Sequence, residues 1–269
     1  MNLFRSANNK DNIVAKRGCL FMTLLKREVT KLGYKVAHIK TDSIKIPNAD
    51  QIIQDFICRF GKEYGYNFET EAEFDKFCLV NDAVYIARHK TGKKAGKWDA
   101  TGKQFAVPYV FKTLFSKEDI EFDDLCETFA VKQGELYLDL NEGLSAEEHD
   151  LKYVGRVGRF CPIEDGHGGG ILRRVTKDED GTEKYFAPPG TLKDTKAKIP
   201  YRWLEAEMVY SLGDKRKHID MSYYRKLVDD AKAAIEEYGD FDQFISDEPI
   251  DPLVEKVVLP WEYEADMIF

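Results

Sequence analysis

The chain has 269 residues, 43% of them hydrophobic and 33% charged, and a formal net charge of −8. A chain of this length and composition can bury a sizeable core, as one large or two small domains. Its apolar runs are far shorter than the roughly 18 residues that a membrane helix needs, so we predict no membrane partner. The five scattered cysteines contain no Cys-x-x-Cys pair, which predicts a reduced, cytoplasmic protein without a zinc site.

Charge is distributed unevenly along the chain. The negative total argues mildly against nucleic-acid binding, because phosphate contacts need Lys and Arg. Between Arg88 and Lys117, however, Asp99 is the only acid among many basic residues. Acidic residues concentrate at 118–150 and 227–266 instead. The chain is therefore acidic overall with a basic middle, and the distribution matters more than the sum.

The first elements predicted are a helix and a hairpin. Gly33 follows a segment, residues 12–32, whose apolar residues recur at the spacing of one helix face; they are Val14, Gly18, Phe21, Leu25, Val29 and Leu32. In His38–Pro47, two short apolar stretches flank the sequence Thr-Asp-Ser at residues 41–43. This pattern predicts a β-hairpin that carries one carboxylate and two hydroxyls at its tip.

The next elements predict a small mixed domain. Asn48 is a candidate N-cap for a second helix, which ends before Gly65. Alternating apolar and acidic residues predict a strand at 68–74. Two further strands are predicted at 77–80 and 83–87, around a turn. This order of elements indicates a small antiparallel sheet with helices on one face.

The composition changes at residues 89–104. Lys, Gly and Thr dominate this segment, and Trp98 is its only large apolar residue. We predict an extended basic loop, and composition alone favours a solvated flexible loop over a DNA-contacting one. A soft domain boundary follows near residue 107.

The remainder of the chain predicts helices around a strand-rich middle. Pro108 begins a short helix, and another spans about 122–131. Residues 135–200 are expected to be strand-rich and irregular. Apolar residues at 203–212 and at 223–238 then form two helix faces, and the acidic tail after Pro249 is expected to be extended.

The predicted fold class is therefore α+β. Residues 1–107 form a small antiparallel sheet with helices on one face. Residues 108–269 form a mostly helical region with an irregular β-containing insert.

The predicted hairpin resembles a motif of a known enzyme family. Residues 38–43, His-Ile-Lys-Thr-Asp-Ser, are similar to the third palm motif of family B DNA polymerases, Tyr-Gly-Asp-Thr-Asp-Ser. The Thr-Asp-Ser of the motif matches, whereas the three positions before it differ. The last Asp of the motif binds the catalytic magnesium ions, so the resemblance implies this role for Asp42.

The resemblance continues beyond the hairpin in the order that the family shows. It is carried by residues 8–13 with the following helix, by 38–47, by 80–87, and by 101–105 through 110–115. These segments together look like the C-terminal palm and thumb of a phage-type family B polymerase. The resemblance implies that 1–107 is the C-terminal part of the palm and that 108–269 is the thumb and C-terminal region.

The activity implied is template-directed DNA synthesis, in which a nucleotide is transferred from a dNTP to a primer 3′-hydroxyl. Two Mg²⁺ ions support this chemistry, and one carboxylate cannot hold both. The resemblance therefore implies a second carboxylate outside this chain, on an N-terminal polymerase polypeptide or region. The expected partners are that polypeptide, primer–template DNA and a dNTP, and the chain alone is expected to be inactive.

The resemblance also implies roles for the neighbours of Asp42. Thr41 and Ser43 shape the turn, and Lys40 lies in the vicinity of the nucleotide without binding metal. A cation this close to Asp42 lowers the negative charge of the site.

DNA contacts are implied at two places. Tyr85 stands where the family has a tyrosine that holds the primer, although from the residues alone it is equally well an ordinary strand aromatic. The basic loop suits contacts to the DNA backbone, with Trp98 able to pack on a sugar. Its best candidates are Lys97 and Lys103, with Lys93 and Lys94 beside them.

Two other functions stay open at this point. A non-catalytic DNA-binding remnant or accessory module of a split or truncated polymerase would use only the basic face. A metal-dependent nuclease would use Asp42 with Glu73 and Lys76, with a poor match in spacing. The glycine-rich stretch 166–170 lacks the features of a P-loop and is predicted to be a turn.

Overall fold

The computed structural model of the chain describes residues 13–141, 148–186, 202–211 and 213–248. Small antiparallel sheets and helices alternate in these ranges, which confirms the predicted α+β class. Two compact units are present. By its described residues, the first comprises 13–105 and 234–248, and the second lies between them in the chain.

The predicted domain boundary after residue 107 lies close to the observed one after Phe105. The return of the chain to the first unit at Ala234 was not predicted. The identification of the units with a polymerase palm and thumb stays a prediction.

The first unit begins with a helical core. Helix α1 (Ile13–Lys31) and helix α2 (Gln51–Glu63) bury apolar residues in one cluster; they include Phe21, Leu25, Val29, Ile53 and Ile57. Full burial of each large aliphatic side chain stabilises the fold by about 1.5–3 kcal/mol. Gly33, with a φ of 88°, follows α1 as predicted.

Helix α2 is capped by a different residue from the one expected. The carboxylate of Asp50 accepts a hydrogen bond from the backbone N–H of Ile53 at 3.0 Å. It also accepts one from the hydroxyl of Tyr34. The prediction of Asn48 as the cap is therefore wrong, since Asp50 stands directly before the helix and satisfies an N–H of the first turn.

Two antiparallel sheets complete the first unit. Strands β1 (His38–Lys40) and β2 (Ser43–Lys45) form the predicted hairpin. Strands β3 (Phe74–Asn81), β4 (Val84–His89) and β5 (Trp98–Thr101) form a sheet in the order β3-β4-β5. The strand expected at 68–74 is wrong, because β3 begins only at Phe74.

Residues 89–104 are not an extended loop. A 3-10 helix at Gly92–Lys94 leads into β5, which pairs with β4. Helix α3 (Lys103–Ala106) follows directly. Lys93, Lys94 and Lys97 therefore lie in a short, hydrogen-bonded connection between β4 and β5.

The described residues of the second unit contain two antiparallel sheets. Helix α4 (Pro108–Phe111), a π-helical turn at Lys112–Ser116 and a 3-10 helix at Phe122–Leu125 precede them. The strands are β6 (Glu127–Ala130), β7 (Glu135–Asp139), β8 (Leu151–Gly155), β9 (Val157–Ile163), β10 (Gly170–Lys177), β11 (Glu183–Phe186) and β12 (Arg202–Glu205). Their orders are β11-β10-β7-β8 and β12-β9-β6.

Three helices end the described chain, namely α5 (Ala206–Ser211), α6 (Met221–Glu236) and α7 (Phe241–Ile245), with a 3-10 helix at Gly213–His218 before α6. None of the helices in the described ranges is both long and apolar enough to cross a bilayer. The predicted extended tail after Pro249 lies outside the described residues.

Two predictions in this region are corrected. The helix expected at 122–131 is a 3-10 turn followed by β6, because the segment pairs with β9. The helix expected at 203–212 begins only at Ala206, since Trp203 and Leu204 belong to β12. In both places sheet pairing overrides a local apolar pattern that also fits a helix.

Candidate functional site

Asp42 lies at the exposed tip of the β1–β2 hairpin. The cross-strand pair of Lys40 and Ser43 leaves only Thr41 and Asp42 in the turn. The hydroxyl of Ser43 donates to the main-chain oxygen of Lys40 at 3.2 Å and closes the turn. Asp42 is therefore exposed to solvent in a short turn that is closed by a hydrogen bond. We call this turn the hairpin tip (Lys40–Ser43).

Thr41 holds a strained backbone conformation. Its φ is 55°, in the left-handed region that β-branched residues rarely adopt. Strain of this kind costs on the order of 1–3 kcal/mol and clusters at functional sites. The turn thus holds the backbone before Asp42 in a strained conformation at the expense of local stability.

The hairpin has one apolar and one polar face. Ile39 and Ile44, which are cross-strand partners, pack against the core formed by α1 and α2. The alternation of a strand puts His38 and Lys45 on the opposite face. The apolar face therefore holds the hairpin in place while the polar face is left for other contacts.

The polar face of the hairpin meets the β3–β4 turn. Nε2 of His38 donates to the main-chain oxygen of Asp82 at 3.1 Å. The ring of Tyr85 lies edge-on to His38, with 6.3 Å between centroids. Nζ of Lys45 lies 5.3 Å from the centre of the Tyr85 ring. The structure thus brings Tyr85, one of the predicted DNA-binding residues, against the hairpin that carries Asp42.

Lys45 is a residue of this site that the sequence did not single out. Burial lowers the pKa of its ammonium group, Glu71 and Asp99 raise it, and Lys40 lowers it, with a net decrease. Its position in the sequence could have identified it. Lys45 lies two residues after Ser43, on the same face of the strand, and its cross-strand partner is His38, which contacts Tyr85. Lys40 and Lys45 thus place two cations on the hairpin that carries Asp42, with the carboxylates of Glu71 and Asp99 near enough to act on the pKa of Lys45.

The metal chemistry implied for Asp42 is supported by its type and exposure. A carboxylate in reach of solvent is a ligand that Mg²⁺ prefers, alongside waters and phosphate oxygens. Within the described ranges, no group of three or more His, Cys, Asp or Glu side chains is arranged to hold a metal ion. Asp42 thus fits as one ligand, and a two-ion site needs carboxylates from elsewhere.

The predicted basic residues lie at two ends of one strand pair. Tyr85 pairs with Thr101, and Arg88 pairs with Trp98. Lys103, two residues after Thr101, is therefore at the Tyr85 end of the strand pair. Lys97 is at the far end, and its backbone lies roughly 13 Å from that of Thr101 at a strand rise of about 3.3 Å per residue. The structure brings Lys103 towards the hairpin and places Lys97 apart from it.

The connection that carries Lys93, Lys94 and Lys97 is ordered by its backbone. The N–H of Lys97 donates to the oxygen of Lys94 at 2.8 Å, and the N–H of His89 donates to the oxygen of Lys97 at 2.9 Å. All three lysine side chains are exposed. They form a cationic surface at the end of the sheet opposite Tyr85.

Two buried cations form a separate cluster that the sequence did not reveal. Nζ of Lys76 donates to the main-chain oxygens of Gln243 at 3.3 Å and Glu248 at 2.7 Å. Lys76 is only 2% exposed. Burial and the charge of Arg88 lower the pKa of Lys76, partly offset by nearby carboxylates.

Arg88 completes this cluster. Its guanidinium donates to both carboxylate oxygens of Asp75, with a closest distance of 2.6 Å, and to Asp247 at 2.7 Å. We call Lys76 and Arg88 together with residues 243–248 the C-terminal anchor. It ties the end of the described chain to the β3-β4-β5 sheet.

The anchor corrects two expectations. Lys76 faces main-chain oxygens in the interior, so it is not placed to serve the nuclease mechanism considered with Asp42 and Glu73. Trp98 does not stand free to pack on a sugar, since its ring lies 5.7 Å from the Arg88 guanidinium and 5.4 Å from the ring of Phe244. Both side chains hold the first unit together.

Comparison with known proteins leaves the family open. No protein-family model matches the chain, and a search of curated proteins finds no significant relative.

Proposed function

We propose that this chain is the C-terminal palm-and-thumb part of a family B DNA polymerase, of phage type, acting in the cytoplasm of its host cell. The observation that supports this most is the hairpin tip: an exposed carboxylate on a strained two-residue turn, held against the strand that carries Tyr85. The motif resemblance of residues 38–43 singles out the same carboxylate.

In this proposal each residue of the hairpin has a separate role. Asp42 is one ligand of the magnesium pair, whose chemistry is to activate the primer 3′-hydroxyl and to bind the triphosphate. Thr41 and Ser43 fix the turn. Lys40 and Lys45 attract phosphate oxygens of the nucleotide or primer, since both are cations beside the carboxylate.

Duplex DNA is held by the sheet next to the hairpin. Tyr85 and Lys103 lie at its near end and contact the primer close to the reaction. Lys93, Lys94 and Lys97 lie at its far end and contact the backbone further away, which gives affinity without sequence preference.

The test is primer extension in Mg²⁺ after mixing the chain with an N-terminal polymerase polypeptide that bears the first palm carboxylate and the nucleotide-binding helix. We expect nucleotide incorporation from the mixture and none from either part alone. Asp42→Asn should abolish it, whereas Asp82→Asn should not, because Asp82 contributes its main-chain oxygen rather than its carboxylate. Incorporation that survives Asp42→Asn would rule out the proposal.

A second candidate function is DNA binding without catalysis. It is favoured by the exposed lysines Lys93, Lys94 and Lys97, which form a cationic surface at the end of the sheet opposite Tyr85. Such a module would use the basic surface alone.

The two functions separate in a binding measurement. A non-catalytic module binds primer–template with an affinity that falls as salt rises, and each lysine removed lowers the salt slope by about 1. Its binding is unchanged by Asp42→Asn and is not strengthened by Mg²⁺ with a matching dNTP. The polymerase proposal predicts that a matching dNTP with Mg²⁺ tightens binding of the reconstituted complex, and that Asp42→Asn removes this gain.

A further inference from the structure

Two cysteines of the second unit lie opposite each other in neighbouring strands. In the antiparallel pair β6–β9, Glu127 is the partner of Phe160. The same register places Cys126, directly before β6, opposite Cys161. Positions that face each other in an antiparallel pair have Cα atoms about 4.5–5.5 Å apart, which lies within the range that a disulfide spans.

The two sulfur atoms are in contact. Sγ of Cys126 lies 3.4 Å from Sγ of Cys161, and both thiols are free. Cys161 is completely buried, whereas Cys126 keeps 9% of its surface exposed. A small oxidant therefore meets Cys126 first, with Cys161 directly behind it.

The surroundings give the two thiols different characters. A hydrogen bond from Cys161 lowers the pKa of Cys126, burial raises it and the Arg159 guanidinium lowers it further, with a net decrease. Arg159 is itself held by Asp123 at 2.8 Å. The pKa of Cys161 is raised by the same hydrogen bond and by burial. The thiolate is the reactive form of a cysteine, so Cys126 is the better nucleophile.

We propose that Cys126 and Cys161 form a reversible modification site, which hydrogen peroxide converts to a cross-strand disulfide between β6 and β9. In the first step the Cys126 thiolate attacks one peroxide oxygen, the O–O bond breaks, and Cys126 sulfenic acid forms with release of hydroxide, which takes up a proton. In the second step Cys161 attacks the Cys126 sulfur, the S–O bond breaks, and water leaves with the Cys161 proton. One peroxide is reduced to two waters, and two thiols are oxidised to one disulfide.

The experiment treats the folded full-length chain with hydrogen peroxide and maps its peptides without reduction. A Cys19→Ser background removes the exposed thiol that would link two chains. We expect one linked peptide pair joining Cys126 to Cys161, a mass lower by two hydrogen atoms, and full reversal by dithiothreitol. A link between other cysteines, or free thiols at both positions while Cys19 of the parent chain is oxidised, contradicts the proposal.

Two variants assign the roles. In Cys161→Ser, the link cannot form and Cys126 should gain one or more oxygen atoms instead. In Cys126→Ser, Cys161 should stay unmodified, because it is buried behind the missing thiol. Oxidation of Cys161 in the second variant would overturn the assigned order.

Cys78 provides a matched control. It is buried like Cys161, and burial raises the pKa of its thiol to about 11. Cys78→Ser should leave the Cys126–Cys161 link unchanged, and Cys78 itself should stay reduced. Circular dichroism on each variant verifies that the fold is retained, and the parent chain gives the link without any substitution at the pair.

Discussion

The first unit holds two charged clusters that are built in opposite ways. In the C-terminal anchor, Lys76 and Arg88 are buried; Lys76 donates to two main-chain oxygens, and Arg88 donates to the carboxylate of Asp75. At the hairpin tip, Asp42 is exposed on a turn whose Thr41 backbone is strained. A buried charge that has hydrogen-bond partners holds a structure together, because removing those partners leaves the charge uncompensated in the interior. Backbone strain costs stability and clusters at functional sites, so the exposed Asp42 is the better candidate for chemistry.

The largest expected effect tests the anchor. Arg88→Met removes the charge-assisted hydrogen bonds of the buried guanidinium to Asp75 and should lower the free energy of unfolding by about 3 kcal/mol, the upper end for bonds to a charged group. Urea denaturation measures this loss. The control is Asp247→Asn, whose carboxylate is fully exposed beside the same guanidinium, and which should cost much less. Equal losses in the two variants would mean that the anchor is not held by the Asp75 pair.

The next effect concerns Lys76. Lys76→Met removes the donor to two main-chain oxygens in the interior and should cost about 2 kcal/mol. Amide hydrogen exchange should become faster in 241–248, and an exposed control, Lys90→Met, should leave it unchanged. A gain in stability instead would show that burying the ammonium costs more than its hydrogen bonds return.

A pH dependence follows from Asp75. Burial raises its pKa, and the hydrogen bonds and charge of Arg88 lower it, with a net decrease. Because the folded-state pKa is depressed, the stabilisation is present above the unfolded-state pKa of about 3.9 and is lost as the pH falls through the folded-state value. The stability difference between the parent chain and Asp75→Asn should therefore shrink in acid, as measured by urea midpoints. A difference that stays constant down to about pH 2.5 contradicts this linkage.

The smallest effect has the opposite sign and belongs to the hairpin tip. Thr41→Asn should stabilise the chain by about 1 kcal/mol, because Asn tolerates the left-handed conformation. Thr91→Asn is the control, since Thr91 has an ordinary extended φ of −131°. Thermal unfolding should show a gain only for Thr41→Asn, and no gain would mean that the turn is unstrained.

The sequence predicted the first helix and the hairpin of the first unit correctly, whereas the Asn48 cap, the strand at 68–74 and the loop at 89–104 were wrong. The apolar spacing of α1, its end at Gly33 and the β1–β2 hairpin all depend on neighbours within a few residues. Periodicity and turn residues carry this information directly. The exposed position of Asp42 follows from the same local pattern.

The anchor and the thiol pair escaped prediction for a physical reason. Lys76 meets Glu248 across 172 positions, and Cys126 meets Cys161 across 35. No local pattern records such contacts. A basic residue in a strand is ordinarily read as solvent-facing, and burial of Lys76 depends wholly on the chain returning at 243–248. The pairing of β6 with β9 was missed for the same reason, because the local apolar pattern at 122–131 also fits a helix.

The central claim is that Asp42 binds the metal of a nucleotidyl-transfer site. The most direct measurement is Mn²⁺ binding, followed by electron paramagnetic resonance, in the complex reconstituted with an N-terminal polymerase polypeptide, primer–template and a matching dNTP. We predict that Asp42→Asn weakens Mn²⁺ binding by at least about tenfold, since even outer partners of metal ligands contribute that much. Asp82→Asn, on the neighbouring turn, should leave it unchanged. Equal Mn²⁺ affinity in the parent chain and Asp42→Asn would contradict the claim.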